Sequence, residues 1–243
     1  TAGSQIGHLK CYNDYFHEMV CSWKVGLHVN CTSEFTLYFQ RLLFPLPYNS
    51  CVPVNHNENG RLHCMCKIKI PQTVVNDNYS IEVHSNGSML LKHSVIPAKT
   101  VKPRVPVSVS IHETKSKNFN LSWENNYPEE HFLQGYLMYE ISYQKKGDPE
   151  QHTYTHIYMQ LTHYEILRSV LTTECDYVAK VRTKTHTYEG KWSEWSTEII
   201  WHNNYMSTYK SILQILIPIV CITLLIQIVM CYWCIKRYCI EWF

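Results

Sequence analysis

Glycine is scarce in this chain, with 8 among 243 residues, whereas tyrosine reaches 18. That balance argues against disorder or a flexible low-complexity chain and for ordered, aromatic-rich β domains. Neither sign of charge prevails, at 22 basic against 20 acidic residues, so there is no electrostatic case for nucleic acid. Catalytic signatures are missing too. None of the 14 histidines falls in a His-Glu-x-x-His pair, and no Gly-x-Ser-x-Gly elbow occurs. The reading is therefore non-enzymatic, with no catalytic residue, metal or cofactor expected.

Charge is absent altogether from Ser211 to Ile235, and Ile212 to Trp233 is almost wholly aliphatic. At 1.5 Å rise per residue, about 20 such residues cross a hydrocarbon core of about 30 Å. Tyr232 and Trp233 stand where an interfacial aromatic belt is expected, followed by Lys236 and Arg237. The expectation is one membrane-spanning helix over 212–235, a stalk at 205–211 and a stub at 236–243 on the far side. The chain starts at Thr1 without a signal peptide, which reads as a processed or partial sequence.

Six cysteines crowd the first quarter: Cys11, Cys21, Cys31, Cys51, Cys64 and Cys66. An even number in a short β-rich segment reads as three disulfides, with fifteen connectivities open. Cys64 and Cys66 share one face of a strand, and each needs a cross-strand partner. These six lack the Cys-x₂-Cys spacing of structural zinc sites. Sequons at Asn30, Asn78, Asn86 and Asn120 agree with an oxidising exterior, which puts the N-terminus outside the cell and makes this a single-pass type I protein of the plasma membrane. Cys175 stands alone and reads as a small buried hydrophobe.

Alternating segments suggest two β modules, 1–100 and 101–204. In the first, strands are expected at 35–43, 62–70, 79–84 and 89–95, with turns rich in Asn, Pro and Gly between them. Lys102-Pro103-Arg104-Val105-Pro106 marks the boundary as a stiff extended segment. Beyond it, seven strands are expected at 107–112, 119–123, 136–144, 153–160, 163–167, 177–183 and 196–201. Seven short strands in about 100 residues fit a fibronectin type III sandwich, with Tyr177 placed as its tyrosine corner. The fold class is thus an all-β ectodomain of two sandwiches followed by one transmembrane α-helix.

The most specific stretch is Trp192-Ser193-Glu194-Trp195-Ser196. In the strand before it, alternation puts Lys180 and Arg182 on one face. Both cations can stack between Trp192 and Trp195, each contact contributing about 0.5–1 kcal/mol if exposed.

This stretch is similar to the tryptophan-serine box of the class I cytokine receptor family. Within that family the chain resembles the interleukin-4 receptor alpha group at anchors that run nearly end to end. Among them are Cys11-Tyr12-Asn13-Asp14-Tyr15, Cys21-Ser22-Trp23-Lys24, Asp77-Asn78-Tyr79-Ser80, Val101-Lys102-Pro103-Arg104, Asn126-Tyr127-Pro128 and Trp201-His202-Asn203-Asn204-Tyr205.

The resemblance implies disulfides Cys11–Cys21, Cys31–Cys64 and Cys51–Cys66, and an L-shaped pair of sandwiches gripping a helical cytokine at the elbow. It implies ligand-binding roles for Tyr15, Leu43, Val75, Asp77, Phe132 and Tyr188. The two tyrosines would offer rigid amphipathic area, Asp77 would accept a bidentate arginine, and the apolar three would exclude water. Implied partners are interleukin-4, or interleukin-13 through a shared complex, and a second chain such as the common gamma chain or an interleukin-13 receptor chain. A Janus kinase would dock on a longer tail than the one here, which stops short of the docking box. That leaves a truncated tail or a membrane-anchored decoy as readings. An adhesion glycoprotein built from the same sandwich is the alternative from another class.

Some positions depart from the group's pattern. Thr73 replaces an acidic residue, Arg41 an apolar one and Lys180 an arginine, and the loop before Asp77 is one residue shorter.

Overall fold

The structure, a computed structural model, describes residues 6–43, 47–72, 74, 76–148, 154–159, 161–205 and 208–240. The first eight strands are β1 (Lys10–Asn13), β2 (Glu18–Lys24), β3 (Thr36–Arg41), β4 (Asn49–Cys51), β5 (Val54–Glu58), β6 (Arg61–Lys69), β7 (Tyr79–Ser85) and β8 (Ser88–Val95). A single helical turn, α1 (Cys31–Glu34), precedes β3 and is capped by the Asn30 side chain. The strands form two antiparallel sheets in the orders β1-β2-β6-β5 and β4-β3-β7-β8. Met19, Cys21 and Trp23 of one sheet meet Leu37, Ile81 and Val83 of the other in one core. Period-two alternation produces that core, since the inward positions of β2 and β6 are every second residue.

Sequence patterning finds no strand at β1, β2, β4 or β5. All five residues of β5 are exposed, so no inward apolar set marks it. In β1 and β2 the inward positions include Cys11, Asn13 and Cys21, residues that do not read as a hydrophobic face.

The disulfides are Cys11–Cys21, Cys31–Cys64 and Cys51–Cys66, the pairing that the resemblance implies. Cys11 and Cys21 are directly opposed between β1 and β2. Cys64 and Cys66 do share a buried face of β6, but their partners are not across the strand ladder. Cys31 comes from α1 and Cys51 from β4 of the facing sheet, so these two bridges tie β6 across the core.

The next seven strands are β9 (Val107–Glu113), β10 (Phe119–Glu124), β11 (Leu137–Lys145), β12 (Tyr154–Met159), β13 (His163–Ile166), β14 (Cys175–Thr185) and β15 (Ile199–Asn203). They build the sheets β13-β10-β9 and β12-β11-β14-β15. Among the described residues of this range the seven strands match the number expected. Tyr177 forms the corner, its hydroxyl accepting a hydrogen bond from the Thr172 N–H at 2.7 Å while its ring stacks on Trp201 at 5.5 Å. Cys175 packs half-buried at the edge of this core.

The chain closes in α2 (Thr208–Ile240), of which Ile212–Arg237 is long and apolar enough to cross a membrane and is not buried against the sandwiches. Pro218 lies inside this helix and removes one backbone donor from it.

The segment between the sandwiches is fastened on both sides. Asn13 N–H donates to Thr100 O at 3.0 Å and Lys102 N–H to Asn13 O at 2.8 Å. Val101 N–H donates to Glu189 O at 3.1 Å and Lys191 N–H to Val101 O at 2.8 Å. Val101 thus bridges β1 and the Glu189–Lys191 loop in a short parallel ladder. Gly190 is required there, because a Cβ on it would lie 1.8 Å from Val101 O.

Candidate binding site at the interdomain elbow

The corner begins with Asn13-Asp14-Tyr15, in the loop between β1 and β2. The Asp14 carboxylate accepts from the N–H groups of Phe16, His17 and Glu18 at 2.9–3.0 Å, and Asn13 Oδ1 accepts from Tyr15 N–H at 3.0 Å. These side-chain turns hold Tyr15 at φ 58°, a left-handed conformation that costs a non-glycine residue energy. The turn aims Tyr15 away from its own sandwich. Its ring packs 5.4 Å from Phe132 and 5.0 Å from Tyr188, and it belongs to the second core.

A clasp lies behind it. Arg104 Nε bonds Asp14 Oδ2 at 2.9 Å, and the guanidinium covers the rings of Phe16 at 4.7 Å and Tyr127 at 5.6 Å. The Tyr127 hydroxyl donates to Asp14 O at 2.8 Å and accepts from Arg104 N–H at 3.1 Å, while burial raises its pKa. The buried ring of His131 stacks between Tyr127 and Phe132, at 4.9 and 5.0 Å.

Four of the expected site residues therefore come together: Tyr15, Phe132 and Tyr188 by ring contact, and Asp77 close enough for its charge to act on the Tyr15 phenol. Their exposure divides them. Phe132 is 38 % exposed and Leu43 43 %, with Tyr188 half-buried and Leu42, Val74 and Tyr136 also presenting apolar surface. Tyr15 and Asp77 are 0 % exposed. Val75 and Thr73 lie outside the described residues.

Two expectations are corrected here. Tyr15 offers no hydroxyl to a ligand. Its ring is buried and its pKa is pushed up to about 12, first by burial and then by the neighbouring Tyr188 phenol. The two phenols influence each other's ionisation without hydrogen-bond geometry, and the Tyr15 hydroxyl is left without a partner. Asp77 is no open acceptor either. Arg41 holds it in a fork, Nε to Oδ1 at 2.6 Å and Nη2 to Oδ2 at 2.7 Å, and Val74 N–H adds a third bond at 2.9 Å. A buried carboxylate needs such compensation, and β3–β7 pairing brings Arg41 opposite Tyr79, two residues past Asp77. Hydrogen bonding to Asp77 raises the Arg41 pKa, and burial pushes Tyr79 up to about 12.

The tryptophan ladder stands on β14. Arg182 Cζ lies 5.0 Å from Trp192 and 4.4 Å from Trp195, so among the described residues this cation alone sits between the indoles. Lys180 Nζ covers Trp195 at 5.3 Å. Glu140 pairs with Arg182 and Glu198 with Lys180. Ser193 and Ser196 zip the segment onto β14 like an extra strand. Their N–H groups donate to Thr183 O at 2.7 Å and Val181 O at 2.8 Å, and their hydroxyls accept from Thr183 N–H and Val181 N–H at 3.0 Å each. Glu194 points outward and pairs with Lys102 of the hinge at 2.5 Å, linking the box to the elbow. Of the sequon asparagines, Asn30 and Asn86 are exposed and Asn78 and Asn120 half-buried. Among the described residues, no group of three His, Cys, Asp or Glu is placed to hold a metal ion.

The first sandwich is tied by three disulfides, the second carries the tryptophan ladder, and an aromatic corner joins them; these are the marks of a cytokine receptor, a non-enzymatic class. Within it, residues 5–101 match the family described as interleukin-4 receptor alpha chain, N-terminal. Interleukin-4 receptor subunit alpha of Equus caballus is 29 % identical over 96 % of this chain, and that of Sus scrofa 30 % identical over 96 %. The interleukin-21 receptor of Homo sapiens is 26 % identical over 79 % of this chain and 37 % of its own length. The chain spans 28 % of the length of the horse and pig receptor subunits.

Proposed function

We propose that this chain is the ligand-binding part of a plasma-membrane cytokine receptor subunit. Its sandwiches lie outside, α2 crosses the bilayer once, and a four-helix cytokine of the interleukin-4 or interleukin-13 type docks at the elbow. A second chain, the common gamma chain or an interleukin-13 receptor chain, completes the complex, and a Janus kinase is engaged through cytoplasmic sequence. The three disulfides of the first sandwich and the sequons support the orientation, since both belong to an oxidising exterior.

The observation that carries the reading is the elbow rim. Phe132 stays exposed beside Tyr15 and Tyr188 while the Arg104–Asp14 clasp fastens the corner behind them, and Leu43 adds exposed apolar surface just after β3. Rigid apolar and aromatic area on a fixed scaffold is the usual composition of a binding hot spot. The test displays the full chain on cells and titrates a panel of labelled helical cytokines. One-to-one binding by an interleukin-4-type or interleukin-13-type member is expected, with Phe132→Ala or Tyr188→Ala weakening it by at least about 2 kcal/mol. Absence of binding across the panel, at normal surface display, refutes it.

A further inference from the structure

Where the Val101 ladder joins the two sandwiches, the surface is lined by lysine. An open cleft of about 570 Å³ brings together Lys10 of β1, His93 of β8, Lys99 of the Pro97–Lys99 turn, Lys184 of β14 and Lys191. The one acid among its described lining residues is Glu189. These cations come from five separate segments of both sandwiches, so the fold assembles them rather than a run of basic sequence. The backbone that presents two of them is fixed: Lys99 N–H donates to Ile96 O at 2.9 Å and Lys191 N–H to Val101 O at 2.8 Å.

The cations around the cleft are neutralised, and those in it are not. Lys102 pairs with Glu194, Arg104 with Asp14, Lys180 with Glu198 and Arg182 with Glu140. Lys184 continues the face of β14 that carries Lys180 and Arg182. Among the described residues, neither it nor Lys10, Lys99 or Lys191 has a carboxylate partner. A surface that only has to stay soluble intersperses the two signs, whereas grouped like charges repel one another and attract anions.

The walls select the kind of anion. Leu9 and Cys11 are buried, and Lys191 Nζ covers the half-buried Tyr12 ring at 4.5 Å. The cleft therefore lacks the exposed aromatic or apolar platform that a protein hot spot or a stacked base needs. An ammonium is a compact, hydrated point charge that pairs with an anion from many directions, without the planar fork of arginine. Anionic lipid belongs to the cytoplasmic leaflet, on the far side of α2 in the orientation proposed above.

We propose that this cleft binds the sulfate groups of an extracellular sulfated polysaccharide of the heparan sulfate type, through Lys10, Lys99, Lys184 and Lys191. This rests on the extracellular orientation of both sandwiches, and the cleft shares no residue with the cytokine rim.

The experiment passes the full chain, in neutral detergent micelles at about 0.15 M salt, over immobilised heparin. Fully desulfated heparin, phosphatidylserine vesicles and polyglutamate are the comparison surfaces. Binding to heparin and none to its desulfated form is expected. Lys10→Gln, Lys99→Gln, Lys184→Gln and Lys191→Gln combined should weaken it by about tenfold or more, since four modest exposed charge contacts add. The slope of log affinity against log salt should fall by about three. The same charge removed at Lys67, Lys115, Lys117 and Lys146, exposed and outside the cleft, should weaken binding by less than about threefold. Lys10→Gln with Lys191→Gln repeats the measurement with a smaller perturbation, and about threefold weakening is expected. No binding to heparin, equal weakening in the two fourfold variants, or binding to vesicles or polyglutamate as tight as to heparin would each overturn the proposal. The cytokine panel is read separately on the same chain. Failure on heparin leaves the receptor reading standing, and a negative panel overturns that reading without altering the heparin result.

Discussion

The Tyr15 ring lies 5.0 Å from that of Tyr188, although one belongs to a loop of the first sandwich and the other to a loop of the second. A residue of one sandwich is therefore part of the core of its neighbour, and the docking of the two depends on a ring that the solvent does not touch. Two substitutions separate its ring from its hydroxyl. Tyr15→Ala should cost about 3–5 kcal/mol, the range for a buried aromatic removed from a core. Tyr15→Phe should be neutral or slightly stabilising, because the hydroxyl is buried without a partner. Urea unfolding of a 1–205 fragment measures both. A loss above about 1 kcal/mol in Tyr15→Phe would mean that the hydroxyl is bonded after all.

Gly190 and Val101 make the hinge rigid by backbone rather than by proline. A methyl at Gly190 would overlap Val101 O and break the parallel ladder that joins the boundary segment to the second sandwich. Gly190→Ala should therefore cost about 2 kcal/mol or more, well above the few tenths expected for an exposed loop glycine. Small-angle scattering should show a broader spread of interdomain angles in the variant. An unchanged scattering profile and stability would place the hinge's stiffness elsewhere.

Within the tryptophan ladder the two cations are not equivalent. Arg182 stacks between both indoles and is forked to Glu140, whereas Lys180 covers one indole and pairs with the exposed Glu198. Arg182→Ala is expected to lose about 2 kcal/mol, and Lys180→Ala less than about 1 kcal/mol. Ser193→Ala should lose about 1 kcal/mol, since it leaves the buried Thr183 N–H without its acceptor. Equal losses at Arg182 and Lys180 in denaturant unfolding would contradict this order.

Much of the second sandwich was legible in the sequence because its signals are local. Alternation in Tyr177–Thr183 fixes which face carries Lys180 and Arg182, and the Trp192–Trp195 spacing fixes where the indoles must go. The first sandwich hides more. Val54–Glu58 is wholly exposed, and Cys11 and Cys21 read as cross-links before they read as inward strand positions. The fate of Asp77 could not be seen, because its partner is 36 residues away and meets it only through the β3–β7 register. That Arg41 occupies an apolar position of the family pattern was visible, and was the available signal. Tyr15 was placed at the corner by resemblance, yet its burial follows from the left-handed turn and the docking of two sandwiches, which no single segment encodes.

His131 sets the pH response of the elbow. It is buried between Tyr127, Phe132 and Phe16, its Nδ1 accepts from Leu133 N–H at 3.4 Å, and its Nε2 has no hydrogen-bond partner. Burial lowers its pKa, opposed in part by Asp14 and the Tyr15 main chain and assisted by Arg104. A histidine whose folded pKa is lowered contributes stability that is fully present above its unfolded value of about 6.5 and is lost as pH falls below it, where the unfolded chain binds more protons. His202 works in the opposite direction. Hydrogen bonding to Asp176 raises its pKa, so its contribution is present in acid and fades as pH rises through the folded value; being solvated, it is the smaller effect. The 1–205 fragment should therefore melt at a lower temperature at pH 5.5 than at pH 7.5. His131→Phe, which keeps the stacked ring but cannot protonate, should shrink that difference, and His202→Gln should widen it. Scanning calorimetry at the two pH values is the check, and an acid-induced drop of the same size in His131→Phe as in the native fragment would exclude His131 as its source.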